Sequence, residues 1–417
     1  MRADPVDAGP PGAQGAPPFE PRMKILYLTP GCFDKGGISR YTRYQIAALR
    51  EIVGPRNVHA LSLLGPDADS LEEPFAVDFH ASGNTGKDKA ALMLRAVTLA
   101  ARVRPDIIHA AHVNLSGAAL VLAASIGAKA VLNVYGLEVW SGLRGDAALG
   151  LRMARHVISD CHFTARYVKE HGLGRDARVS VIWDCVDVDK LSPGPARPEA
   201  LARYGIPDPA TGLNLLTLGR ISRDAAHKGY DRLLDVFARV SATVPELRLV
   251  YAGRGGLAAT LRERAERMGI SERVFFTGGV HEDHLVDVYR AGHIFSLLSD
   301  RGRMRGEGLP LTPIEAAACG LPILVGNQDG SQEAVLDGRN GYVVDPFDLD
   351  SHAGRIIELC RSPARRAAMG AEARARTVRE FSYARFVDEH RAMLGRWFGR
   401  LDERERPSAN LTTLGSN

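Results

Sequence analysis

The chain has 417 residues, 45% of them hydrophobic and 24% charged, with a formal net charge of +4. That supplies two sizeable apolar cores, and the interleaved, nearly balanced charge makes nucleic acid no required partner. Five scattered cysteines (Cys32, Cys161, Cys185, Cys319, Cys360) with no C-x-x-C pair suit a reducing compartment better than a disulfide framework or a zinc site. The longest apolar run, residues 117–128, ends at Lys129 and is too short to span a bilayer, so it reads as a buried helix. Residues 1–22 have no apolar core or cleavage signature, and both they and residues 402–417 read as disordered tails. The expected location is cytoplasmic.

In chain order, residues 23–29 (MKILYLT) have strand length, and the next segment turns from glycines into a helix. Strand, glycine loop and helix form a ligand-binding opening, although the G-x-G-x-x-G dinucleotide fingerprint is missing. Gly36 and Gly37 leave room for a ligand to approach; a plain turn is the equal alternative. Residues 58–64, 87–103 and 105–112 continue a βαβ rhythm. His109 and His112 have H-x-x-H spacing but no third ligand in register, which argues against a metal. The strand at 130–135 leads into GLEVWSG, where Glu138 and Trp140 read as an exposed loop at a strand's C-terminal end. Tyr135, at that strand end, is either a hydrogen-bond donor in a site or a core aromatic.

The spacing predicts a first domain over residues 23–190 and a hinge rich in proline, alanine and charge over 191–212. A second domain follows over 213–380, and a last helix over 381–401. Residues 213–218 form a strand with its own glycine turn. Arg220 then lies at the strand end and Lys228 just ahead of a helix, with solvated charge as the default reading for both. Strand and turn recur at 247–256, and at 273–299 around Val280.

Residues 305–326, RGEGLPLTPIEAAACGLPILVG, carry the most chemistry. Thr312, Pro313 and Glu315 fit N-cap, N1 and N3 of a helix as a capping box, and a start near Leu309 is the alternative; Gly320 is the stop. An isolated T-x-x-E is usually only a cap. Here Glu307 stands ahead of the helix between Gly306 and Gly308, so two carboxylates bracket a turn whose free N–H groups favour an anion. Carboxylates accept hydrogen bonds only, which suits a ligand rich in hydroxyls and carrying phosphate: a sugar nucleotide.

The stretch EGLPLTPIEAAACGLPILV resembles the signature of the family-four retaining glycosyltransferases of the GT-B fold, and further motifs in the same order extend the resemblance over about residues 23–400. It implies an α/β architecture of two Rossmann-like domains facing a central cleft, with the C-terminal helix crossing back to the first. Glu307 would hold hydroxyls of the donor hexose, the Gly308 and Leu309 amides would face sugar or phosphate, and Glu315 would take the ribose hydroxyls. GR followed by KGYD resembles the family's diphosphate clamp, which makes Arg220 and Lys228, with Glu307, the implied catalytic groups. Gly37 would border the diphosphate or the acceptor, and backbone around Val280 would meet the base. Tyr135 stands where many relatives carry His, facing the acceptor, and Leu309-Pro310 lacks the usual aromatic.

The implied reaction moves a hexose from a UDP- or GDP-sugar to a glycan or lipid-linked acceptor in cell-surface polysaccharide or glycolipid synthesis, without metal or cofactor. An epimerase of the same fold and a noncatalytic sugar-nucleotide-binding protein are the rivals. Lys35, Arg40 and Arg43, with Arg144, Arg152, Arg155 and Trp140, would make an acceptor face toward an anionic membrane; an ordinary solvated face is the alternative.

Overall fold

The computed structural model describes residues 23–399 except 68–69, 71–74, 144, 175–177 and 302–305. Both expected tails and Arg144 lie outside the described residues. The first domain runs β1 (Ile25–Thr29), α1 (Gly37–Val53), β2 (Val58–Ser62), β3 (Phe79–His80), α2 (Gly86–Val103), β4 (Ile107–Ala110), α3 (Ser116–Ile126), β5 (Lys129–Val134), α4 (Leu137–Trp140), α5 (Gly145–Met153), β6 (His156–Ser159), α6 (His162–Glu170) and β7 (Val179–Val181). After α7 (Pro198–Tyr204), the second runs β8 (Leu213–Leu218), α8 (Tyr230–Ser241), β9 (Leu247–Ala252), α9 (Leu257–Arg267), β10 (Val274–Phe276), α10 (Leu285–Arg290), β11 (Ile294–Leu297), α11 (Leu311–Ala318), β12 (Ile323–Gly326) and β13 (Gly341–Val344). Three helices close the chain: α12 (Leu349–Arg361), α13 (Pro363–Glu380) and α14 (Tyr383–Phe398).

Each domain holds one parallel sheet, ordered β3-β2-β1-β4-β5-β6-β7 and β10-β9-β8-β11-β12-β13. The strands are short apolar runs because helices cover both faces, as in β1 and β12, which are buried throughout. Strand order reverses between β1 and β4 and again between β8 and β11, and such reversals open a ligand crevice at the strands' C-terminal ends. The two-domain GT-B architecture is therefore the one the chain adopts. The expected hinge carries more structure than its composition indicated. α7 lies within it, and Leu201, Tyr204 and Ile206 bury into the second domain's core. Arg197 also holds Asp287 at 2.7 Å, so the flexible stretch is shorter than residues 191–212.

The last helix crosses back as expected. On α14, Phe386, Val387, Met393 and Leu394 pack with Tyr27, Tyr41, Ile46 and Leu49 of the first domain. The two interdomain crossings run side by side, the Val186 N–H donating to the Phe381 carbonyl at 2.9 Å. A buried polar chain ties α14 down. Gln45 accepts from Tyr27 Oη and Asn133 Nδ2, both at 2.6 Å, and its Nε2 meets His390 Nε2 at 2.9 Å. His109 joins this chain through Asn133 Oδ1 at 2.9 Å, and burial pushes its ring down to about 4. His112 instead accepts the Asn114 N–H at a turn, so the H-x-x-H pair is structural.

Removing Gln45 takes a partner from Tyr27 Oη, from one Asn133 N–H and from His390 Nε2, and each orphaned buried polar group costs about 1–3 kcal/mol. Gln45→Ala is therefore expected to destabilise the first domain by at least about 2 kcal/mol, read as a lower denaturant midpoint at unchanged slope.

Candidate functional site

The second domain's strand reversal brings the loop after β8 against the loop after β11. Gly229 has a left-handed backbone (φ +70°), and a Cβ there would collide with the Leu298 carbonyl. The Asp300 N–H donates to the His227 carbonyl at 2.9 Å. These backbone contacts aim two side chains at one carboxylate. Lys228 Nζ lies 2.8 Å and His227 Nε2 2.7 Å from the same oxygen, Oε1 of Glu307. Burial pushes the Glu307 carboxyl up, but the Lys228 ammonium and the His227 ring outweigh it and hold the group at about 2. Its backbone is fixed from behind: the Glu307 N–H donates to Asp329 Oδ2 at 2.9 Å, and its carbonyl accepts the Gly330 N–H at 3.0 Å.

Helix α11 begins differently from the capping-box expectation. Pro310 occupies the N-cap with no side-chain hydrogen bond, and the buried Thr312 hydroxyl has no partner among the described residues. Glu315 does not reach back to the backbone because stronger partners claim it. Its carboxylate is paired with the Arg40 guanidinium and accepts from Tyr289 Oη at 2.5 Å. Arg40 belongs to α1 of the first domain, so it crosses the cleft to the donor side instead of standing free on the acceptor side. Burial works against its charge, and Glu315 together with Glu282, 3.5 Å away, outweighs that penalty.

Three further carboxylates structure this region. Asp160, just beyond β6, accepts the Leu309 N–H at 3.0 Å, and its own burial pushes its pKa well up. Glu333 of the second domain accepts the His162 and Phe163 N–H groups at 2.9 and 2.7 Å at the start of α6, and also Trp183 Nε1 at 2.7 Å. Asp329 is the third. Gly308 has no room for a side chain, because a Cβ would collide with the Tyr135 carbonyl. Asp160, Asp329 and His227 are not singled out by the sequence, whereas Glu333 falls in the stretch GSQEAV, which resembles a family motif. His227 adjoins Lys228 and Asp160 ends a strand, but only the folded chain gives them partners.

The remaining sequence-predicted residues are dispersed. Arg220 is 77% exposed, 3.4 Å from Asp224, and does not share Glu307 with Lys228. Gly37 opens α1 with nothing within 4 Å of an added Cβ, and Val280 is half-buried against the second domain's core. Tyr135 is buried, accepting from Asn133 Nδ2 at 3.0 Å, and its N–H donates to Glu138 Oε1 at 2.6 Å, so Glu138 holds the turn. Trp140 corrects the expectation of an exposed aromatic. It is 0% exposed, edge-on to Phe163 at 5.5 Å, because α4 turns the indole inward beneath Gly136, where a Cβ would touch it. Arg40 is committed to Glu315 and Arg43 donates to the Cys32 and Asp34 carbonyls, so neither joins Trp140 in the expected basic face.

Two family models match the chain: Glycosyltransferase Family 4 over residues 35–190 and Glycosyl transferases group 1 over residues 211–376. The chain is 30% identical over 357 residues to a GDP-mannose-dependent alpha-(1-6)-phosphatidylinositol monomannoside mannosyltransferase of Mycobacterium tuberculosis, covering 82% of this chain and 89% of that protein. Its Mycolicibacterium smegmatis counterpart is 29% identical, with 82% and 90% covered. Among solved structures, Anabaena HepE in complex with UDP superposes with a TM-score of 0.72 at 18% identity, over 90% of this chain and 100% of that one. A Rickettsia africae glycosyltransferase gives 0.73 at 16%, over 90% and 98%.

The Glu307 charge cluster has a consequence for pH. A carboxyl held at about 2 instead of its usual 4.5 contributes stability that is present above pH 4.5 and is lost as pH falls through 2, about 3 kcal/mol in all. Glu307→Gln is expected to flatten the stability profile across that window relative to wild type. Parallel profiles would show that the cluster adds nothing.

Proposed function

This chain belongs to the family-four, group 1 glycosyltransferases, and from that premise we propose that it moves mannose from GDP-mannose to a phosphatidylinositol-type glycolipid, with retention at the anomeric carbon. The observation that carries the reading is the convergence of Lys228 and Glu307 at the strand reversal. In this reading Glu307 receives hydroxyls of the hexose, while Lys228 and Arg220 neutralise the diphosphate. Glu315 receives the ribose. The bond from the anomeric carbon to the phosphate oxygen breaks as the acceptor oxygen bonds on the same face, and the acceptor's proton passes to the departing phosphate. Stabilising charge on that phosphate is where the protein lowers the barrier.

Donor entry requires the cleft to open. Arg40 occupies Glu315, and Asp160 occupies the Leu309 N–H, the groups this reading assigns to the ribose and to the sugar or phosphate. The nucleotide replaces these internal partners with its own. Cation charge in the clamp takes the place of a metal in this reading.

A lipid acceptor calls for a surface that meets a membrane, and we assign it to the outer layer of α2, α3 and α5. Leu94 is 70% and Val121 72% exposed, and Val97, Leu149 and Met153 are also exposed. Helix α2 carries Lys87, Lys89, Arg95 and Arg102 against a single carboxylate, Asp88, which is spent in the capping box with Thr85. Apolar side chains among cations suit an anionic lipid interface, each cation contributing about 1 kcal/mol. No helix among the described residues is long and apolar enough to cross a membrane.

Assayed against GDP-mannose, UDP-glucose and ADP-glucose with phosphatidylinositol mannoside as acceptor, the protein is expected to use GDP-mannose, with turnover surviving EDTA. Glu307→Ala and Lys228→Ala should each lower kcat/KM roughly ten- to hundredfold, as for loss of a charge-assisted hydrogen bond. Turnover abolished by EDTA and restored by magnesium would refute the metal-free clamp. Cosedimentation with phosphatidylinositol-containing vesicles should be strong at low salt, weaken at high salt, and fall several-fold in Leu94→Glu/Val121→Glu. Absence of binding at low salt would overturn the membrane face.

A further inference from the structure

The two cations on Glu307 do not do the same work. Both reach Oε1, and no hydrogen bond to Oε2 is found among the described residues, so both cations hold the same oxygen. Lys228 is a point charge on a flexible stem whose three N–H groups rotate, so it favours the carboxylate's charge without fixing its plane. The His227 ring is planar, and Nε2 facing a carboxylate carries the proton, so this hydrogen bond has a direction. Its other nitrogen, Nδ1, is buried with no partner among the described residues. Burying such a nitrogen unpaired is destabilising, so the ring's contribution to the fold rests on its other nitrogen. The ring's one hydrogen bond among the described residues goes to Glu307.

Donor binding sharpens the contrast. On the functional reading above, the diphosphate claims Lys228, and Glu307 then loses half of what holds Oε1. The His227 backbone is anchored independently, its carbonyl taking the Asp300 N–H and the next turn locked by Gly229 under Leu298. We propose that His227 is a positioning residue that keeps Glu307 aimed at the donor's hexose after Lys228 has turned to the diphosphate. Recognition of the sugar thus depends on His227, whereas recognition of the nucleotide does not.

The inference rests on the donor reading, and binding measurements separate the two. Affinities for GDP and for GDP-mannose are measured by calorimetry on the full chain, alongside donor turnover, for wild type, His227→Ala, His227→Phe and His227→Gln. The expected result is that GDP binds all four within about twofold, while GDP-mannose affinity and kcat/KM fall roughly tenfold or more in the Ala and Phe variants. The Gln amide donates from nearly the same place and is expected to restore most of the loss. His227→Phe keeps the loop packed, so the test does not depend on the smaller variant folding well. Equal loss of GDP and GDP-mannose affinity would make His227 a loop-packing residue, and unchanged GDP-mannose binding in the Phe variant would remove any role; either overturns the proposal. A wild-type protein that bound no GDP-mannose, yet bound another nucleotide sugar with the same His227 dependence, would refute the donor assignment alone.

Discussion

A buried carboxylate that must stay charged governs the second domain's ligand crevice. Desolvation opposes the ionised form of Glu307, so the fold has to bring cations to it before the site can exist. It does so with adjacent residues on one short turn, His227 and Lys228, and braces the carboxylate's backbone with Asp329 and Gly330 from a third loop. All three loops leave C-terminal ends of neighbouring strands, so the parallel sheet and its order reversal are what make the cluster geometrically possible.

The same economy joins the domains. Arg40 from the first domain neutralises Glu315 of the second, Asp160 receives the Leu309 N–H, and Glu333 caps α6 across the boundary. Charged and polar groups that would be costly to bury alone find partners across the cleft. A hydrated nucleotide offers the same chemistry, hydroxyl donors for carboxylates and phosphate oxygens for N–H groups and cations. In the proposed reaction, opening and donor binding are therefore an exchange of like partners and not a net loss. The hinge that permits this is narrow. Two strands of chain cross together at Val186 and Phe381, while α14 is anchored in the first domain by apolar packing and the Gln45–His390 contact.

Trp140 and Arg40 show where linear reading stops. GLEVWSG at a strand's end has the composition of an exposed loop, yet its backbone coils into one helical turn that rotates the indole under Gly136, a choice made by packing against Phe163. Arg40 lies near a glycine loop, and its partner is 275 residues away. Thr312 and Glu315 have capping-box spacing, but spacing cannot weigh a weak backbone bond against a guanidinium delivered from another domain.

By itself the sequence determined what depends on local pattern. Apolar runs of strand length alternating with helical periodicity dictate parallel sheets, the break at residues 191–212 divides the chain, and the EGLPLTPIE stretch carries its chemistry in residues close enough to be read together. The tertiary structure decided which charges meet. Lys228 is paired with Glu307, its near neighbour in sequence Arg220 is left exposed beside Asp224, and His227, Asp160 and Glu333 acquire partners. The reason is physical: secondary structure follows from short-range sterics and side-chain periodicity, whereas an ion pair exists only where two distant segments share a few ångströms of poorly solvated space.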